Sequence, residues 1–398
     1  MRKRVVAFVL ALLFCAMLPG CAEEHTDSGW SEGIDGHDGV FTGEGYYYTD
    51  SFTYLYFLDV NNGVNVCLCS KIGCKHNTDR SNPEEHCEAD LRGELVCYWN
   101  GGIYYTKTDN YGCHLYRRNA DGTGEQHIIQ LSREYTEAQM EVGSPNTRYV
   151  DGYIYYTSTI YAVTATADGS ISDVALQVLK RINLRTGKEE EILSYPADQA
   201  MKIVAVRPDA LLCLRYQFPD RDDEQYEELL SKVKYELIQL DAATGQIHVI
   251  IEKTREEGFG VRYIAGNTMM YDIEENGQSV VRSLDLNTGK DTFLYAIEHL
   301  NIINKDFGIR MTGNSLENME YILVDLKTGK DLPTAFKGQR LSVESVSDDG
   351  VVILRAIRTE GGSLSTRILT YFTLESLKDG LQEEDAIDFY VLQAAGSS

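Results

Sequence analysis

The sequence predicts an all-β fold, a seven-bladed β-propeller of four-stranded antiparallel blades. Three observations carry this: a recurring glycine-terminated hairpin, a recurring aromatic strand ahead of it, and a scarcity of helical patterning. The hairpin is a strand ending in Asp or Asn and closed by Thr-Gly-Lys. It reads Asn183-Leu184-Arg185-Thr186-Gly187-Lys188, Asp285-Leu286-Asn287-Thr288-Gly289-Lys290 and Asp325-Leu326-Lys327-Thr328-Gly329-Lys330; Asp241-Ala242-Ala243-Thr244-Gly245-Gln246 differs only in its last residue. Looser copies end at Gly63, Gly122 and Gly380, so seven markers imply seven units, with six or eight blades as the neighbouring alternatives. Glycine adopts positive φ without steric cost, and an Asp or Asn side chain caps the amides of the turn.

At the start of the chain, Arg2, Lys3 and Arg4 precede an apolar run over residues 5–18 that closes in Leu18-Pro19-Gly20-Cys21. A basic region followed by such a run is a secretory signal, assigned to residues 1–20. The run falls short of the ~20 residues that span a bilayer as a helix. Its last four residues resemble a bacterial lipobox, with Pro19 a departure, and make Cys21 the expected site of lipidation. Residues 21–40, rich in Gly, Ser, Asp and His, read as a flexible tether from the acylated cysteine, with His25 and His37 solvated. The expected location is therefore the extracytoplasmic face of the membrane, held by the lipid. A single propeller domain is assigned to residues 41–398.

Within the propeller, the aromatic strands are Gly45-Tyr46-Tyr47-Tyr48, Gly102-Ile103-Tyr104-Tyr105 and Gly152-Tyr153-Ile154-Tyr155-Tyr156. Aromatic and β-branched residues behind a turn glycine are strand material. In the third unit the strands are expected at 147–150, 153–158, 176–184 and 189–194. Residues 134–140 and 222–233 read as short helical or loop insertions, and 386–392 as a segment that helps to close the ring. Most tyrosines at strand positions are read as packing between sheets.

Cysteine use fits an exported protein. Beyond Cys15 and Cys21, seven cysteines remain, an odd number that cannot all pair within one chain. Cys97, Cys113 and Cys213 lie in strand-like runs and read as small buried apolar residues. The others fall in a Cys/His-rich loop at 67–87, reading Cys67-Leu68-Cys69-Ser70-Lys71-Ile72-Gly73-Cys74-Lys75-His76 and later His86-Cys87. Cys69, Cys74, His76 and Cys87 have the donor types of a closed, structural zinc site. Cys67 stands two residues from Cys69 and, in a strand, would share its face. A pair of disulfides stapling the loop fits an oxidising exterior equally, and both readings stay open.

With its Leu-Cys-Ser-Lys-x-x-Cys-x-His stretch and later cysteine, its Asp-x-x-Thr-Gly-Lys hairpins and its Gly-x-x-Tyr-Tyr strands, nearly the whole mature chain resembles a family. These are propeller lipoproteins of anaerobic Gram-positive bacteria, domains of unknown function of the TolB-like or WD-repeat type. Cys67 is additional to that pattern. The resemblance implies architecture and location and names no activity.

The formal charge of −24 argues against nucleic acid as a partner and against docking on anionic lipid head groups. No sialidase-type Asp-box repeat or His-Glu-x-x-His motif occurs, and no catalytic residue is assigned. The expected function is a binding or scaffolding module, a monomer with a protein or glycan ligand. The alternative is a glycan- or peptide-processing hydrolase or lyase on the same scaffold.

Overall fold

The computed structural model describes residues 30–31 and 39–393, apart from 51–53, 75, 77–86, 110–111, 132, 137–138, 167–168, 197, 220–225, 297–299, 314–318 and 359–363. The signal segment, Cys21, His25, His37 and His86 lie outside the described residues.

After a two-residue strand at Trp30–Ser31 (β1), blade 1 comprises Gly39–Phe41 (β2), Tyr46–Thr49 (β3), Leu55–Asp59 (β4) and Val64–Cys67 (β5). Blade 2 is Gly93–Trp99 (β6), Gly102–Asp109 (β7), Gly112–Asn119 (β8) and Gln126–Gln130 (β9). Blade 3 adds a short strand, Arg133–Thr136 (β10), to Gln139–Val150 (β11), Tyr153–Thr166 (β12), Gly169–Asn183 (β13) and Lys188–Pro196 (β14). Blade 4 is Gln199–Arg207 (β15), Ala210–Gln217 (β16), Lys234–Asp241 (β17) and Ile247–Thr254 (β18), with one helical turn, Tyr226–Ser231 (α1), between its second and third strands. Blade 5 is Gly260–Gly266 (β19), Thr268–Glu275 (β20), Gln278–Asp285 (β21) and Asp291–Ala296 (β22). Blade 6 is Leu300–Ile302 (β23), Phe307–Thr312 (β24), Glu320–Asp325 (β25) and Lys330–Leu332 (β26). Blade 7 is Arg340–Val346 (β27), Gly350–Arg358 (β28), Leu364–Thr373 (β29) and Ile387–Gln393 (β30). Each blade is an antiparallel meander, the form expected when consecutive strands are joined by tight turns.

The marker glycines all lie at positive φ, from 65° at Gly63 to 103° at Gly380, and each sits between the third and fourth strands of its blade. The turn chemistry is uniform in the close copies. Asp285 Oδ1 accepts from the amides of Asn287 at 3.0 Å and Thr288 at 2.8 Å, while Gly289 donates its amide to the Asp285 carbonyl at 2.8 Å. Two looser copies differ: the Gly122 amide reaches Asn119, and at Gly380 a 3₁₀ turn over Ser376–Asp379 replaces the tight hairpin. A Cβ at Gly289 would meet nothing within 4 Å, whereas one at Gly122 would lie 2.7 Å from the Leu68 carbonyl oxygen. Gly289→Ala should therefore cost only the left-handed backbone strain, about 1–2 kcal/mol. Gly122→Ala should cost more, as read by urea unfolding of both variants.

Seven apolar cores hold the ring, one at each junction between neighbouring blades. Between blades 2 and 3, for example, Val96, Cys97 and Tyr104 pack on Ile154, Tyr156 and Ile182. Cys97, Cys113 and Cys213 are buried as expected, and burial pushes the Cys213 thiol up to about 12. The ring closes where Tyr46, Tyr48 and Leu58 of blade 1 meet Val352, Tyr371 and Phe389 of blade 7. Phe389 belongs to the segment expected to close it, and it does so by face packing, since β30 pairs within its own blade.

The strand tyrosines do more than pack. At the equivalent position in four blades, the tyrosine of the second strand directs its hydroxyl to a polar side chain at the outer edge. Tyr48 accepts from Asn65 Nδ2 at 2.8 Å, and Tyr105, Tyr156 and Tyr271 donate to Glu125, Glu189 and Asp291. A cation from the third strand completes the set in blades 2, 3 and 5: Arg118 with Glu125 at 2.6 Å, Lys180 with Glu189 at 3.3 Å, Arg282 with Asp291 at 3.1 Å. A buried hydroxyl or charge needs such a partner to offset its desolvation.

Partial burial opposes ionisation of Glu125, but hydrogen bonds from Lys107, Tyr105 and Arg118 outweigh it and hold its carboxyl at about 2. Because the folded value is depressed, this contribution is complete above the ordinary glutamate range and is lost as pH falls from about 4.5 toward about 2. Glu125→Gln should flatten the acid limb of stability in that window, as measured by melting temperature against pH.

Several sequence expectations change. Residues 134–136 and 139–140, expected in a short helical or loop insertion, are strand: β10 and β11 pair there, Glu134 opposite Met140, as an added hairpin on blade 3. The arms of β12 and β13 also run beyond the expected strands, with Thr166 opposite Gly169 at their turn. Within the segment read as a tether, Trp30–Ser31 forms a strand, and blade 1 begins at Gly39 rather than residue 41. β1 pairs with β15 through Ser31 and Val206, and with β19 through Trp30 and Gly266. It thereby joins the innermost strands of blades 4 and 5, whose free edges are its template.

Candidate functional site

The Cys/His loop connects the outer strand of blade 1 to the inner strand of blade 2. The strand expected to hold both Cys67 and Cys69 ends at Cys67. The chain then turns, and the Cys69 amide donates to the Cys67 carbonyl at 2.9 Å. Gly73, at φ 74°, reverses the loop, and the Cys74 amide closes that turn on the Lys71 carbonyl at 3.2 Å. His76 itself sits at φ 48°, a left-handed conformation uncommon for a side chain of its size and a form of strain found at functional positions.

The result is one cluster. The ligand atoms of Cys69, Cys74, His76 and Cys87 all lie within 4.8 Å of one another, with His76 Nδ1 3.3 Å from Cys87 Sγ. These are the four residues that the sequence singles out. Cys67 stands at the margin, its sulfur 3.6 Å from the same His76 nitrogen. Among the described residues no disulfide joins any of the seven cysteines.

Burial pushes the Cys67 thiol up to about 12 and raises Cys87 strongly. Burial also opposes ionisation of Cys69, but amide donors at Lys71 and Glu88 outweigh it and its pKa is lowered. A metal ion bound by these sulfurs would displace their protons.

The cluster is anchored from outside. Ser70 donates to the Glu88 carboxylate, and Arg118 of blade 2 donates to the Glu88 carbonyl. The Leu55 amide of blade 1 donates to the Ala89 carbonyl at 2.9 Å.

A second feature was not singled out by sequence. At the junction of blades 2 and 3, a groove of ≈ 570 Å³ opens beside the Gly187 hairpin, walled by Trp99, Tyr104, Arg117, Gln126, His127 and Arg185. Arg185 lies over the Trp99 ring at 5.7 Å and pairs with Asp151 at 3.6 Å. Arg117 donates to Asn119 Oδ1 at 3.3 Å, and His127 Nε2 is 3.2 Å from His114 Nδ1. The turn residues and cations come from different blades, so no contiguous motif marks the groove. The sparse signals were Trp99 and the arginine inside one marker hairpin.

No protein-family model matches the chain, and no curated protein matches it. Among solved structures, it is similar to a puromycin-hydrolyzing peptidase of Mycobacterium tuberculosis, with 10% identity and a TM-score of 0.53 over 91% of this chain and 56% of that one. An oligogalacturonate lyase from Vibrio parahaemolyticus matches at 11% identity and a TM-score of 0.47, over 82% of this chain and 87% of that one. TolB from Acinetobacter baumannii matches at 14% identity and a TM-score of 0.34, over 88% and 79%. The chain spans little more than half the length of the peptidase, at 56%. At 10% identity the likeness to the peptidase shows the fold alone.

Proposed function

We propose that the chain is an extracytoplasmic lipoprotein, tethered through Cys21, whose propeller is a binding module and whose Cys/His cluster is a structural zinc site. The observation that carries the binding reading is the groove at the blade 2 and blade 3 junction. It is open, it is walled by side chains of two blades, and it gathers cations in a chain of formal charge −24. Side chains held between two packed blades are positioned before any ligand arrives, which is what a binding site requires.

Cys69, Cys74, His76 and Cys87 would hold zinc, and four protein donors would complete its tetrahedral shell and leave no position for a substrate. Its work is then to staple the segment joining blades 1 and 2. The tether reading is supported by the lipobox-like ending and by β1: nine residue steps from Cys21 to Trp30 reach roughly 30 Å when extended. The inner strands of blades 4 and 5 would ride at about that distance from the lipid.

Cells grown with labelled palmitate should incorporate label into the native chain and not into Cys21→Ser, which should leave the membrane fraction. For the binding reading, the mature chain is incubated with cell-wall saccharides and peptides, and the same mixtures are analysed for products. Saturable binding without turnover supports the module. Release of cleaved product overturns it in favour of a hydrolase or lyase on the propeller.

A further inference from the structure

The groove between blades 2 and 3 also points to a ligand class, an inference that rests on the binding reading above. Charge is the first observation. The described walls of the groove contain no carboxylate, although the chain as a whole carries a large acidic excess. Arg185 is only partly offset, because its pair with Asp151 is long and half exposed on both sides, 52% and 44%. Arg117 meets the neutral Asn119, and no carboxylate pairs with it among the described residues. Two guanidinium groups and an imidazole therefore share one small space with little internal compensation, a field that favours an anion.

Shape is the second observation. The aromatic surface of the groove is Trp99; Tyr104, with its ring 6.4 Å away at 46°, backs it from the core between the blades and is 3% exposed. Trp99 is backed by the blade 3 turn: a Cβ at Gly152 would lie 3.1 Å from the indole, tighter than an ordinary contact, so the glycine lets the ring sit close against that turn. His127 is braced edge-on against Tyr116, with centroids 5.2 Å apart. Gln126 adds a neutral amide beside the cations. An aromatic ring flanked by planar amide and guanidinium donors matches a sugar ring, which presents a C–H face and a hydroxyl edge. The volume, ≈ 570 Å³, falls within the range of small-molecule sites, about 300–1,000 Å³.

We propose that this groove binds a saccharide carrying an oxyanion, with the anionic group against Arg117, His127 and Arg185 and the sugar ring beside Trp99. Guanidinium groups hold carboxylate and phosphate alike through paired N–H donors, so either substituent satisfies the chemistry.

The test titrates the full mature chain, solubilised in detergent, with glucuronic acid, glucose 6-phosphate and glucose, following tryptophan fluorescence and heat. At least one of the two anionic sugars should bind at least tenfold more tightly than glucose, and the stronger arm identifies the substituent. Its binding should weaken as salt is raised. Arg117→Gln should weaken it about tenfold or more, consistent with loss of one charged hydrogen bond. Arg185→Ala, on an exposed hairpin where folding is not at stake, should weaken it as well, and Trp99→Phe should remove the optical signal.

Glucose binding as tightly as both acids would overturn the ligand class while leaving the module standing. Binding of the acids that neither arginine variant alters would overturn the site, and no binding by any of the three sugars would overturn the proposal. Turnover of a bound acid would overturn the module reading instead and leave the ligand class intact.

Discussion

Cys87→Ser should remove one equivalent of zinc from the purified chain and lower its melting temperature by roughly 10 °C, because a structural metal binds the folded state and its binding free energy is folding free energy. Cys87 is the donor to change. It is 2% exposed and lies 3.3 Å from His76 Nδ1, so serine would leave an apolar pocket around a hydroxyl that binds zinc poorly. A chelator should produce the same loss in the native chain and nothing further in the variant. Cys67→Ser should retain the metal, since Cys69, Cys74, His76 and Cys87 already supply four donors within 4.8 Å. Elemental analysis and thiol titration of the unfolded chain check the point. A protein with no zinc, fewer than the seven free propeller thiols, and a melting temperature that falls with reductant instead of chelator would establish disulfides in the loop.

Tyr48→Ala should be the most damaging single truncation at the ring closure. The residue is fully buried and stacks on Tyr56 at 5.2 Å, with Phe389 of blade 7 edge-on at 5.0 Å. Removing such an aromatic typically costs about 3–5 kcal/mol, a sizeable share of a domain's stability. Tyr48→Phe should cost only about 1 kcal/mol, because it loses the 2.8 Å bond from Asn65 and keeps the ring. Asn65→Ala should fall between them, since Asn65 also donates to the Phe389 carbonyl across the closure at 2.7 Å. Urea unfolding of the three variants gives the order. Equal losses for Tyr48→Ala and Tyr48→Phe would mean that packing at this junction contributes nothing, and that closure rests on hydrogen bonds alone.

The expected fold emerged from features that are complete within a few residues. The hairpin at Asp285 to Gly289 contains its own cap, its own positive-φ glycine and its own closing hydrogen bond, so it can be read without knowing what surrounds it. Five such turns, with the looser copies at Gly122 and Gly380, were enough to count the blades. The Cys/His cluster was legible for a similar reason: donors at short separations in a loop have few places to go. The reading of residues 134–140 as a short helical or loop insertion missed their strands because the extended β12 and β13 arms beside them were themselves unassigned. An acidic, weakly patterned segment takes the structure that an adjacent free strand edge offers.

What residues alone determined here is local: the turns, the number of blades, the burial of the strand cysteines and the donor set of the loop. Only the tertiary structure decided that Tyr48 meets Phe389 across more than three hundred residues, that Trp30–Ser31 joins the inner edges of blades 4 and 5, and that Arg117 and Arg185 face the same groove. Turn chemistry is set by dihedral preference and hydrogen bonds within one short segment. Blade-to-blade packing is set by shape and desolvation between side chains far apart in the chain, and no single segment carries that information.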